Sequence, residues 1–259
     1  MARRIIAGLR TIVSGASSGI GRELVRQLVR QQAFVVAVAR REERLRELAA
    51  ELAAEDRLVT LAGDVTNGAT RATAIEICQT RFGGLDALVN NAGSGAVGPF
   101  APADPERLRQ VMEVNFFAAA EFIREALPTL RKGTRPIIVN VSSILGHRAI
   151  PRMSEYCASK FALHGFSDSL RAELAAEGID VLLVSPSTTA SEFFERAAGD
   201  PSTLPERFGA MPADAVARKT IRAVCAGRHE IILTPGGKLL VWLDRLCPPI
   251  VNRLIARFS

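Results

Sequence analysis

Tyr156 and Lys160 stand one helical turn apart, so on a helix both side chains leave the same face. An ammonium beside a phenol favours the phenolate and brings the phenol toward a usable acid–base range. Tyr156 is the only tyrosine among the 259 residues. It follows a serine pair, Ser142-Ser143, that closes an apolar run of strand length. Neighbours on a strand face opposite ways, so Ser142 is expected to point toward the sheet and Ser143 away from it. The plainer alternative is an ordinary Tyr/Lys pair on a solvated helix face.

A second group of residues suggests a phosphate cradle. Ser14-Gly15-Ala16-Ser17-Ser18-Gly19-Ile20-Gly21 lies between the apolar run Thr11-Ile12-Val13 and a helical pattern over 19–30. Glycines let the backbone turn sharply and approach a pyrophosphate, while the helix N-terminus offers amide donors and a positive dipole. A glycine-rich turn alone also serves ordinary tight turns.

These groups need a scaffold, and the rest of the chain reads as one. Apolar runs at 34–39, 57–62, 85–90, 137–141, 179–184 and 230–233 alternate with amphipathic stretches at 42–54, 69–82, 105–130 and 154–177. That alternation is the mark of a parallel α/β sheet of about seven strands with helices on both faces, a doubly wound Rossmann fold. Asp104 with Pro105 marks a helix start and Gly178 a helix end. No linker or repeat interrupts 1–259, which predicts a single domain. Residues 186–212 are irregular and rich in Pro, Ser, Thr and Gly, as a functional loop would be.

Four motifs in order resemble the short-chain dehydrogenase/reductase family: the Gly-x-x-x-Gly-x-Gly loop, Asn90-Asn91-Ala92-Gly93, Ser142-Ser143, and Tyr156-Cys157-Ala158-Ser159-Lys160. The resemblance runs from about residue 11 to 191. It implies a nicotinamide-dependent oxidoreductase in which Ser143 holds the substrate oxygen and Tyr156 is the acid–base. Lys160 would then hold the nicotinamide ribose and tune Tyr156, and Asn115 would hold a water linked to Lys160. By itself, Asn115 reads equally as a local structural hydrogen-bonder. The resemblance further implies cofactor contacts from Gly15, Ser17, Ser18, Gly19, Ile20, Gly21, Asn91, Ala92 and Gly93, with Asp64 and Val65 at the adenine. Pro186, Thr189 and Ser191 would meet the nicotinamide. The family usually has Pro-Gly where this chain has Pro186-Ser187, so Ser187 puts the backbone conformation there in question.

The end of the second strand separates the two cofactors. An acidic residue there binds a ribose 2′-hydroxyl, whereas an arginine accommodates a 2′-phosphate. The chain reads Val38-Ala39-Arg40-Arg41, with Arg40 following the usual acidic position. NADP(H) is therefore favoured and NAD(H) is the fallback, since arginine–phosphate contacts are charge-assisted and planar. Many NADP-using relatives carry a basic residue where this chain has Ser18; the Ser17 hydroxyl could still reach the phosphate.

The substrate is less sharply indicated. Phe193, Phe194, Leu204, Phe208 and Met211 in the loop suggest an apolar pocket for a ketone or secondary alcohol, or else simply pack the loop down. His147 and Met153 lie between Ser143 and Tyr156 and are candidate pocket-lining residues. The tail at 238–259 is amphipathic and basic, with Trp242, and three uses stand open: a pocket cap, a subunit contact, or a membrane surface. The family resemblance suggests a homodimer or homotetramer built through the two long helices.

The net charge of +6, from 33 basic and 27 acidic residues, suits an anionic ligand. One tryptophan and one tyrosine argue against a base-stacking nucleic-acid surface. The four cysteines and three histidines show no metal-ligand spacing, so no metal is expected. A cytoplasmic setting, peripheral to a membrane if the tail binds one, is the expected location. Two other activities remain open at this point: a catalytically silent NADP(H)-binding protein, and an NAD(H)-dependent epimerase or dehydratase.

Overall fold

Strand residues such as Val35-Val36-Ala37-Val38 and Ile137-Ile138-Val139 are apolar on both sides, and both sides are buried. Only a sheet covered on two faces accommodates such runs. The computed structural model describes residues 4–190, 192–193, 197–200 and 210–256. Its main sheet comprises β1 (Arg10–Ser14), β2 (Phe34–Ala39), β3 (Leu58–Ala62), β4 (Ala87–Asn90), β5 (Ile137–Val141), β6 (Asp180–Ser185) and β7 (Glu230–Ile232). All pairings are parallel, in the spatial order β7-β6-β5-β4-β1-β2-β3.

The helices are α1 (Gly19–Arg30), α2 (Glu42–Leu52), α3 (Gly68–Phe82), α4 (Pro105–Met112), α5 (Ala118–Leu130), α6 (Ser154–Leu174), α7 (Ala213–Ala226), α8 (Pro235–Leu246) and α9 (Pro248–Ala256). Side-chain alternation along the strands sorts the core into two layers. Val13, Val35 and Ala37 pack with Leu24, Leu28, Leu45, Val216 and Ile221 from α1, α2 and α7. Ile12, Val36 and Val38 pack with Ile75, Phe122, Ile123 and Leu170 from α3, α5 and α6. The strand order reverses between β1 and β4, so their carboxyl ends open a crevice where such sheets bind ligands.

Three features depart from the sequence expectation. The long helix expected over 105–130 is α4 and α5 joined by a π-turn, Glu113–Phe117, which carries Asn115. α7 falls where no helix was expected, and beyond it the apolar tail divides into α8 and α9, because Pro248 suits the first turn of a new helix and cannot continue the old one. Asp104 Oδ1 accepts from the Glu106 amide at 2.9 Å, and Gly178 closes the 3₁₀ turn after α6 at φ 70°, as expected of those residues.

Candidate active site

A cavity of about 670 Å³ opens at the carboxyl ends of the strands. Its floor is made by the turn from β1 to α1. Gly15 and Gly19 have φ of 68° and 52°, which glycine adopts without strain. A Cβ on Gly21 would lie 2.3 Å from Gly15 O and 2.4 Å from Asn91 Nδ2, so the turn closes only over a bare backbone. Gly21 is thus beneath the cavity, while Gly15, Ser17, Ser18, Gly19 and Ile20 line it.

Ser14, which sequence reasoning passed over, locks this turn to the loop after β4. Its Oγ accepts from the amides of Asn91 and Ala92, both at 3.0 Å, and donates to Val89 O at 3.2 Å. Asn91 Nδ2 donates back to Ser14 O at 3.0 Å. Asn91, Ala92 and Gly93 line the cavity. A hydroxyl between the apolar run Ile12-Val13 and the glycine turn was the available signal for Ser14.

At the far end, Arg40, Arg41, Asp64 and Val65 line the wall. Arg41 reaches inward: its Nη2 donates to Ser18 Oγ at 2.6 Å and its Nε to Ser17 Oγ at 3.1 Å. Ser18 is the N-cap residue of α1 yet makes no side-chain cap bond. Arg40 is 74% exposed at its side chain, and its guanidinium lies 3.7 Å from Asp64. Sequence reasoning also missed Glu192, whose carboxylate pairs with Arg41 at 3.0 Å and Arg44 at 3.5 Å.

Near the opposite end, Ser143, Tyr156 and Lys160 come together, all buried. Ser143 lies two residues past β5 and caps a 3₁₀ turn, Ile144–Gly146, accepting from the Leu145 amide at 3.1 Å. Ser143 and Tyr156 line the same stretch of the cavity wall. Lys160 Nζ lies 5.7 Å from the tyrosine ring centroid and donates to Val141 O at 3.0 Å. Burial pushes the Tyr156 phenol above its usual range, and the Ser143 hydrogen bond pulls it partly back. Burial brings the Lys160 ammonium down to about 8. Lys160 is not among the groups that shift the phenol in this geometry, so the lowering expected from it gives way to a rise caused by desolvation. Ser142 turns away and donates to Lys160 O at 3.3 Å.

Asn115 sits one layer behind the cavity. Its Oδ1 accepts from the Ser94 amide at 2.7 Å, and its Nδ2 donates to Ser159 Oγ at 2.8 Å and Ser94 O at 2.9 Å. The π-turn presents this side chain inward, a frequent use of such turns. Beside it, Arg107 of α4 grips the buried carboxylate of Glu155 at 3.0 and 2.7 Å, which fixes the first turn of α6.

Pro186, Ser187 and Thr189 line the cavity. Ser187 is not among the positive-φ residues of the described chain, so serine stands there without strain. Met153 and Phe193 line it too, with the Phe193 ring tilted 60° to that of Tyr156 and the centroids 5.7 Å apart. His147 does not: its ring turns to Ser185 and Glu230 behind β5 and β6, drawn by hydrogen bonding there. Ser191, Phe194, Leu204 and Phe208 lie outside the described residues.

A model of the short chain dehydrogenase family matches residues 10–201. The chain belongs to the short chain dehydrogenase family. Bovine dehydrogenase/reductase SDR family member 7B (Bos taurus) is 32% identical over 98% of this chain and 82% of that protein. The uncharacterized oxidoreductase YusZ of Bacillus subtilis is 37% identical over 78% of this chain and 70% of its own length. A short chain dehydrogenase from Burkholderia cenocepacia solved with NADP superposes with a TM-score of 0.83 at 27% identity, covering 98% of this chain and 99% of that one. One from Burkholderia phymatum solved with NAD has the same fold, with a TM-score of 0.87 at 23% identity over 95% and 96% of the two chains. This short chain dehydrogenase is accordingly an NAD(P)-dependent oxidoreductase acting between an alcohol and a carbonyl of a small molecule. The glycine-only floor, the open amides of α1 and the cationic end at Arg40 and Arg41 fit a dinucleotide.

Proposed function

We propose that the protein reduces a carbonyl of an apolar small molecule, or oxidises the matching secondary alcohol, with NADP(H) and with Tyr156 as the acid–base. The observation that carries this reading is the gathering of buried Ser143, Tyr156 and Lys160 at one cavity wall, with Lys160 Nζ 5.7 Å from the tyrosine ring centroid. When bound, the nicotinamide supplies or accepts the hydride. Ser143 and Tyr156 bind the substrate oxygen together, and Tyr156 gives its proton to that oxygen in reduction and takes it back in oxidation. Lys160 has three donors, of which Val141 O takes one, leaving others for a ribose. Asn115 braces the loop at Ser94 and the helix at Ser159, so it positions rather than reacts.

Several observations support the finer points. Ser17, Ser18 and Arg41 form a three-residue donor set for a 2′-phosphate, with Arg40 at the mouth, which favours NADP(H) over NAD(H). Ile150, Met153, Val114 and Phe193 give the substrate end an apolar lining. Exposed Phe117 and Phe161 on the π-turn and α6 support a homo-oligomer through the long helices. The chain reads as a single domain throughout, and its free cysteines suit a reducing, cytoplasmic setting.

The test is turnover of a panel of apolar ketones with NADPH by wild type and Tyr156→Phe, with cofactor affinity measured in parallel. The variant is expected to bind NADPH and lose about 10²- to 10⁴-fold in turnover number. Equal turnover in the two proteins would remove Tyr156 from the reaction. Wild type that binds NADPH but turns over none of the panel would favour a silent binding protein. Product formed without net NADPH consumption would indicate an epimerase or dehydratase.

A further inference from the structure

His147 follows the 3₁₀ turn that Ser143 caps, and its side chain is only 2% exposed. Its Nε2 lies 3.1 Å from Glu230 Oε1 and 3.0 Å from Ser185 Oγ. Its Nδ1 is buried with no hydrogen-bond partner. His164, on α6 one turn past Lys160, sets its ring edge-on to that of His147, with centroids 4.4 Å apart at 75°. One ring nitrogen from each histidine and a Glu230 oxygen all lie within 4.8 Å of one another.

We propose that His147, His164 and Glu230 form a binding site for a divalent transition metal of the zinc class, separate from the oxidoreductase cavity. Two imidazoles and a carboxylate are a donor set suited to Zn²⁺, with the fourth position left to water. Zn²⁺ ligands at their usual bond lengths stand roughly 3.3 Å apart around a tetrahedron. The His147–Glu230 contact already has that spacing, and all three donor atoms lie within 4.8 Å of one another, so a small inward shift closes the site. An outer contact orients His164, whose Nδ1 is 3.3 Å from Gly146 O; such second contacts fix the ring of a metal-binding histidine. Glu230 is 35% exposed and gives the ion a way in. Asp168, 3.4 Å from His164 Nε2, is held by Arg171 and lies mostly outside the triad. Arg245 is the competing cation near Glu230.

The three ligands come from three separate elements, which gives the site a structural consequence. His147 belongs to the turn after Ser143, His164 to the helix of Tyr156 and Lys160, and Glu230 to the edge strand β7. The turn already sits hard on the helix, since a Cβ on Gly146 would approach Lys160 O to 2.8 Å. A bound ion would cross-link all three and hold the Ser143 turn against α6.

The experiment uses tag-free, full-length protein stripped with chelator and then titrated with Zn²⁺ by calorimetry and with Co²⁺ by visible absorption. One equivalent per chain is expected, with Co²⁺ d–d bands, no thiolate charge-transfer band, and a raised melting temperature. His164→Gln and Glu230→Gln, each first shown to be folded by circular dichroism, should weaken binding at least about tenfold. No stoichiometric binding by wild type would overturn the proposal. So would equal binding by both variants, or a charge-transfer band that assigns the metal to cysteine.

Discussion

Arg41 Nη2 donates to Ser18 Oγ at 2.6 Å across the entrance to α1, which joins the end of β2 to the glycine turn. With Ser17 at 3.1 Å, the guanidinium is held in a fixed plane at the cavity wall. A planar guanidinium already oriented by two hydroxyls loses little freedom on meeting a phosphate. Arg40, extended into solvent, lacks that preorganisation. Arg41→Ala is expected to weaken NADPH at least tenfold, about 1.4 kcal/mol, while NADH changes by less than twofold. Arg40→Ala should have the smaller effect on NADPH. Fluorescence titration of the six protein–cofactor pairs, wild type included, checks this; equal losses for NADPH and NADH would detach Arg41 from the 2′-phosphate.

Much of this arrangement was readable before any coordinates. The Tyr156/Lys160 spacing implied one helix face, and the strand-turn-helix around Gly15 to Gly21 implied a cradle, because both depend on local backbone geometry. What was not readable depends on side-chain direction or distant packing. Nothing in Val114-Asn115-Phe116 marks a π-turn, since neither glycine nor proline is present and the extra residue is set by packing. The sequence singled out Arg40 by its place after the usual acidic position, but the register at the end of β2 sends Arg41 to Ser18 and leaves Arg40 exposed. His147 was placed near the cavity by its position between Ser143 and Tyr156, but Glu230, far along the chain, draws it the other way. Glu192 carried no periodicity or motif that would have linked it to Arg41 and Arg44.

The tail helices bury Gly237, Val241 and Val251 against the body, and Val241 joins the cluster beneath Tyr156. Their other face exposes Leu239, Trp242, Leu243, Leu246, Ile250 and Leu254, flanked by exposed Lys238, Arg245 and Arg253. No described helix is long and apolar enough to cross a membrane. An apolar face with a tryptophan and a basic rim suits the surface of an anionic bilayer. Full-length protein is expected to co-sediment with vesicles containing phosphatidylserine and to be partly released by salt. Trp242→Ser with Leu246→Ser should cut partitioning at least tenfold, about 1.4 kcal/mol, with no change in melting temperature. Wild type that stays in the supernatant, or that shifts to a larger oligomer broken by the same two changes, would reassign this face to a subunit contact.

Lys160 offers a test that reads its burial directly. Its ammonium is brought from the ordinary 10.5 down to about 8 by desolvation, so the folded protein disfavours its protonation. Above about pH 10.5 the lysine is neutral whether folded or unfolded and contributes nothing to pH dependence. As pH falls from 10.5 toward 8 the unfolded chain binds a proton that the folded chain resists, and stability drops. Below about 8 both states are protonated and the loss is constant. Lys160→Met keeps the stem and removes the charge, so it should be more stable than wild type at pH 7. That advantage should shrink between pH 8 and 10.5, and any offset left from the lost Val141 hydrogen bond should then be flat with pH. Paired chemical denaturation of the two proteins across pH 6.5–11 reads the difference, in which every other titration common to both cancels. A difference that stays level over the whole range would mean that Lys160 keeps its ordinary affinity for a proton in the folded protein, and that it is better solvated or better paired than its position under Val141 implies.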